Sequence, residues 1–338
     1  MITDGLFDLQ VNGFAGVDFN DPGITASTLD LALEAMLVCG VTGCLPTLIT
    51  ASPETLAERI RALDTAVAGS RLGPTMVPGY HLEGPFLNAA TGYSGCHPTQ
   101  AMSDPNANLV ATLEAGLTRS ILLVTLAPER SGGPQTIREL RAAGKVVSIG
   151  HSAAGFPTIK AAANAGATLS THLGNGLPAE LPKLDNTLLA QLAEPRLKAC
   201  LIADGIHIPR DALAALVHLK GIGNTILVSD AVMAAAAPAG RYRFAGMDIL
   251  ADENGKVTRP DGAGLAGSAL QLDQAVRNVT AWNVANPDSA VRMASQHPRA
   301  VLAAAPGFSG STFDPGQIRW NSAMEPTVLR KGPGAGRN

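Results

Sequence analysis

The sequence predicts an α/β fold, a (β/α)8 TIM barrel, and three observations carry that prediction. Short apolar, β-branched runs alternate with longer segments of helical period, the pattern of repeated βα units rather than of a sandwich or a helical bundle. Eight such runs can be counted, at 6–11, 43–48, 76–82, 121–126, 146–149, 168–171, 198–202 and 225–228. Polar residues stand just beyond them: Glu83 after the third, His151 after the fifth, His172 after the sixth, Asp204 and His207 after the seventh, Asp230 after the eighth. In a barrel of this type the C-terminal strand ends form one mouth, where functional residues gather.

The elements follow in order. After the first run, Leu29, Leu33, Met36 and Leu37 lie on one helical stripe that stops at Gly40. Ser52 and Pro53 supply an N-cap and a first-turn proline before Leu56, Ile60, Leu63 and Val67, and Gly69 ends that helix. Further helices stop at Gly144, Gly166 and Gly221. Beyond Asp230 the pattern changes. Residues 241–256 contain Gly246, Asp252, Asn254 and Gly255 and read as a β-hairpin excursion, and helices resume over 268–282 and 288–304. The barrel is therefore expected over 1–305, with a tail over 306–338 whose Gly- and Pro-rich end is expected to be disordered.

Composition narrows the function. The 338 residues carry 25 Lys+Arg against 28 Asp+Glu, a net charge of −3, which excludes the basic face that a nucleic-acid or anionic-membrane binder needs. Apolar residues make up 46% and charged residues 16%, enough for a large core. No basic region with an apolar run opens the chain and no long apolar stretch interrupts it, so a cytoplasmic protein is expected. Cys39, Cys44, Cys96 and Cys200 form no C-x-x-C pair and are expected to stay reduced.

Glu83, His151 and His172 place one carboxylate and two imidazoles on neighbouring strand ends, a three-ligand set that leaves positions open as catalytic zinc sites do. The same donors accept Fe²⁺ or Co²⁺. Each residue alone reads equally as a hydrogen-bonded structural group; together they point to one divalent metal ion. Asp230, behind an apolar strand, reads either as an N-cap or as a general base and acid acting on a water.

The segments Asp8-Leu9-Gln10-Val11-Asn12-Gly13, His81-Leu82-Glu83-Gly84-Pro85-Phe86, Gly150-His151-Ser152, Thr171-His172-Leu173-Gly174-Asn175-Gly176, Ile202-Ala203-Asp204-Gly205-Ile206-His207, Ser229-Asp230-Ala231 and Gly267-Ser268-Ala269-Leu270 together resemble the N-acetylglucosamine-6-phosphate deacetylase family of the amidohydrolase superfamily, in family order over about residues 5–305. The resemblance implies a metal-dependent hydrolase barrel. It implies a metal on Glu83, His151 and His172, with Asp230 as catalytic acid and base, and an N-acetyl amino sugar phosphate as substrate. It places His207 and His97 against the sugar phosphate, with Asn175 and Gly176 adding polar contacts. Gln10 and Asn12 stand where many amidohydrolases carry H-x-H, which implies a single metal.

The chain also departs from the family. The arginine that binds phosphate after the sixth strand is missing from residues 174–183, and Lys183 is the cation offered in its place. The loop between Glu83 and His97 is lengthened. The chain starts almost at the first barrel strand, so the family's small β-domain is expected to be reduced or absent, with homodimerisation covering the barrel bottom. Two other readings stay open: the same chemistry on an N-acyl sugar or amine without phosphate, and a barrel that binds a ligand without catalysis.

Overall fold

The computed structural model describes residues 1–262, 264–309 and 314–330. Eight parallel strands lie in sequence order, β1 (Leu6–Val11), β2 (Val41–Ile49), β3 (Tyr80–Glu83), β4 (Ile121–Leu126), β5 (Val146–Ile149), β6 (Leu169–Ser170), β7 (Lys198–Leu201) and β8 (Thr225–Leu227). Just beyond β8 the chain returns to β1. The Asp230 N–H donates to the Gln10 carbonyl at 2.9 Å and the Asn12 N–H to the Ala231 carbonyl at 2.7 Å, which brings the two edges of the sheet together. Every residue of β1 and β2 is buried. Helices outside and packed side chains inside both exclude water, so these strands read as mostly apolar runs, with the buried polar Asp8, Gln10, Thr42 and Thr47 set among them.

The helix signals act as expected. The Ser52 hydroxyl accepts the Thr55 N–H at the start of Pro53–Gly69, whose buried stripe is Leu56, Ile60, Leu63 and Val67. Gly166 closes Phe156–Ala165 in a left-handed conformation. Two boundaries are corrected. The run 76–82 is a strand only from Tyr80, because Pro74 sets off a helical turn, Gly73–Met76, ahead of it. The single helix expected over 288–304 is two, Pro287–Ala294 and Gln296–Leu302. Ser295 breaks it at φ −131°, and Pro298 sits in the first turn of the second piece, where it needs no helical N–H.

After Asp230 the chain forms a three-stranded antiparallel sheet, Gly240–Phe244, Met247–Ala251 and Val257–Thr258. It has its own apolar cluster, in which Phe244, Ile249 and Val257 pack with Ile49 and Val232 of the barrel. A further small sheet pairs Ile2–Asp4 with Gln317–Trp320, and that strand with Pro326–Arg330. The accessory β-structure is thus reduced but present, and part of the tail is ordered by it; the end expected to be disordered, 331–338, lies outside the described residues. No helix among the described residues is long and apolar enough to cross a membrane.

Candidate active site

Four side chains arrive at the barrel mouth from four strands. Glu83 is the last residue of β3, while His151, His172 and Asp230 stand in the turns that follow β5, β6 and β8. Those three share an unusual backbone, with φ of +50°, +27° and +50°. The left-handed region costs a residue with a Cβ about 1–3 kcal/mol, and tertiary contacts must hold it there. For Asp230 the bond to Gln10 across the barrel closure does so, and for His172 the preceding Thr171 N–H is fixed on the Ile149 carbonyl at 2.8 Å.

The imidazoles converge on one carboxylate. His172 Nε2 is 2.9 Å and His151 Nε2 3.4 Å from Glu83 Oε1, and His97 Nε2 is 3.9 Å from Oε2. Donor atoms of Glu83, His97 and His151 lie within 4.8 Å of one another. The donor chemistry fits a divalent metal. His151 Nδ1 contacts the Tyr93 carbonyl at 2.6 Å, which requires the proton on Nδ1 and leaves a lone pair on Nε2. That Nε2 is buried and has no hydrogen-bond partner, as a ligand nitrogen must be. Burial works against the Glu83 charge, but the imidazoles around it, with His172 Nε2 in hydrogen-bond contact, outweigh it and hold the carboxyl well below the usual range. Burial likewise opposes charge on His172, and the bond to Glu83 overrides it, raising this imidazole to about 9.

Asp230 is held from one side. Gln10 Nε2 donates to its Oδ1 at 3.0 Å and Asn12 Nδ2 donates to the same oxygen at 2.8 Å, while Gln10 also reaches Glu83 Oε2 at 3.0 Å. Burial pushes the Asp230 carboxyl up to about 6, with His172 pulling it down and Glu83 raising it. The capping alternative fails, since residues 231–239 form turns and not a helix.

Two loops grip His151. A Cβ on Gly176 would lie 2.6 Å from His151 Nδ1, one on Gly95 3.0 Å from its Cε1, and one on Gly92 2.5 Å from Pro178. The 88–99 loop and the 174–178 loop therefore interlock around the imidazole, and only glycine permits it. Gly176→Ala, at φ +62°, is expected to destabilise the protein by about 1–3 kcal/mol in urea unfolding and to weaken metal retention, because the ring must move.

The remaining expected residues divide. His207 and Asn175 line the same cavity, of about 660 Å³. His207 Nδ1 contacts Asp204 Oδ2 at 2.6 Å. Asn175 spends its Nδ2 on the His172 carbonyl at 3.1 Å. His97, expected at the sugar phosphate, stands instead beside Glu83 and His151, with Nδ1 2.9 Å from the Thr50 hydroxyl. Its place on the lengthened loop folds it inward. Lys183 is exposed and does not line the cavity; it follows Pro182 on a stretch that turns outward. Sequence reasoning missed Arg259, which does line the cavity, because the excursion after Asp230 carried no motif. It also missed the Tyr93 carbonyl, a backbone group that no side-chain pattern reveals.

No family model matches the chain. Curated relatives do. An N-acetylgalactosamine-6-phosphate deacetylase of Escherichia coli O157:H7 is 33% identical over 303 residues, covering 89% of this chain and 78% of the relative. An N-acetylglucosamine-6-phosphate deacetylase of Bos taurus is 33% identical over 318 residues, covering 89% and 74%. Among solved structures, a mutant N-acetylglucosamine-6-phosphate deacetylase of Mycobacterium smegmatis in complex with N-acetylglucosamine 6-phosphate superposes with a TM-score of 0.86 at 27% identity, over 98% of this chain and 86% of that one.

Proposed function

The chain belongs to the N-acetylglucosamine-6-phosphate deacetylase family of the amidohydrolase superfamily, and from that premise we propose that it hydrolyses the N-acetyl amide of an amino sugar 6-phosphate, giving the amine and acetate. The observation that carries this reading is the meeting of three imidazoles and two carboxylates at one barrel mouth, with two imidazole nitrogens, His151 Nε2 and His172 Nδ1, buried and without a hydrogen-bond partner.

Glu83, His151 and His172 would hold a single divalent ion, Zn²⁺ by donor preference, with Fe²⁺ or Co²⁺ compatible. Such an ion supplies a Lewis acid that polarises the amide carbonyl and makes a water more acidic. Gln10 and Asn12, in place of two further imidazoles, act on Asp230 rather than on a second ion. Both donate to Oδ1, so Oδ2 is the oxygen left to take the proton. As the water oxygen bonds to the acetyl carbon, its proton passes to Asp230 Oδ2. When the C–N bond breaks, the same proton goes to the departing amine nitrogen. His97 borders the acyl end, and His207, oriented by Asp204, borders the sugar.

We also infer a cytoplasmic reaction, since a sugar phosphate does not cross a bilayer unaided. The test is a panel of N-acetyl hexosamines, free and 6-phosphorylated, assayed beside elemental analysis of protein purified without added metal. About one metal per chain and release of acetate from a 6-phosphorylated substrate are the expected results. Full activity with no metal, or a reproducible two metals per chain, contradicts the single-metal mechanism.

A further inference from the structure

We propose that Arg259 reads the anionic end of the substrate, its guanidinium receiving the phosphoryl group and so selecting phosphorylated over free amino sugars. The proposal rests on the deacetylase reading above and adds to it the residue that sets the substrate class.

The charge inventory of the cavity leads there. Its acids, Glu83 and Asp230, sit with the three imidazoles where the amide must react. A phosphoryl dianion is repelled from those carboxylates and must lie toward the rim. On the wall, His207 Nδ1 is already taken up by Asp204 Oδ2 at 2.6 Å. Among the described residues lining the cavity, Arg259 is the one lysine or arginine. A phosphoryl group on this wall is met by the planar fork of donors of a guanidinium.

Position and surroundings agree. Arg259 follows the strand Val257–Thr258, and its carbonyl accepts the Gly262 N–H at 2.9 Å in a tight turn. Phe244 of the same small sheet lines the cavity, and that sheet is anchored to the barrel by its own apolar cluster. Arg259 is therefore carried on a built platform. Its Nε lies 3.7 Å from Asp261 Oδ1, with 39% and 64% of the two side chains exposed. An ion pair that open to solvent is weak.

The experiment compares wild type, Arg259→Ala and Arg259→Lys on N-acetylglucosamine 6-phosphate and N-acetylglucosamine, with calorimetric binding of glucosamine 6-phosphate and glucosamine to each protein. Wild type is expected to prefer the phosphorylated sugar. Arg259→Ala is expected to lower the phosphorylated-to-free ratio of kcat/KM by about 10–100-fold, mainly through KM, and to weaken glucosamine 6-phosphate binding in parallel. Lysine restores part of both, since it keeps the charge and loses the fork. Equal use of the two sugars by wild type, or a preference that Arg259→Ala leaves intact, overturns the proposal while deacetylation stands. If no N-acetyl hexosamine is hydrolysed, the deacetylase reading falls, and a calorimetric discrimination that is indifferent to Arg259 overturns the proposal as well.

Discussion

Asp230→Asn is expected to lower kcat by about 10²–10⁴-fold, while the protein keeps its fold and its metal. The amide is nearly isosteric with the carboxylate, and its oxygen can still accept from Gln10 and Asn12, which both donate to Oδ1 of the native side chain. Its nitrogen then occupies the place of Oδ2, where it offers hydrogens and cannot take one. The chemistry that fails is the proton transfer alone. Steady-state kinetics together with metal content decide the matter: an active Asp230→Asn protein with bound metal would return Asp230 to a structural role.

His151→Ala and His172→Ala act earlier, on the metal itself. Losing a group that merely orients a ligand costs about 10–100-fold in metal affinity, and losing one of three protein ligands costs more. Both variants are expected to leave purification largely free of metal and to lose activity with it. His172→Ala also strips Glu83 of its 2.9 Å partner, so it is expected to unfold at lower denaturant than His151→Ala, whose Nε2 makes no hydrogen bond. Metal analysis and urea titration on both proteins check the two statements separately. Native metal content in either variant would mean that the ligands lie elsewhere.

Much of this architecture is legible in the sequence, for a physical reason. Strands buried on both faces are mostly apolar, and the glycines at 40, 166 and 221 punctuate the helices between them. Glu83, His151, His172 and Asp230 are legible because each ends such a strand or stands within three residues of its end. His97 is not, because its position depends on how residues 88–99 fold back over the mouth, and its partner Thr50 lies on another loop. Lys183 and Arg259 show the same limit from opposite sides. Both sit outside the regular βα repeat, and only the path of each loop decides which one meets the cavity. The role of Gln10 and Asn12 was half visible: their side chains plainly could not replace imidazole ligands, but that both amides grip one oxygen of Asp230 depends on the closure between β1 and β8.

The left-handed backbone at His151, His172 and Asp230 has a consequence for how this protein can change. At these positions glycine, and to a lesser extent asparagine, fits the local conformation better than the residue proposed to do the chemistry. A population of variants sorted only for soluble yield would drift toward them and grow hardier as it lost its catalyst. Selection for turnover pulls the same three codons the other way. The mouth of the barrel is therefore where durability and activity are in direct opposition, and any attempt to toughen this enzyme has to leave those turns untouched and look to its outer helices instead.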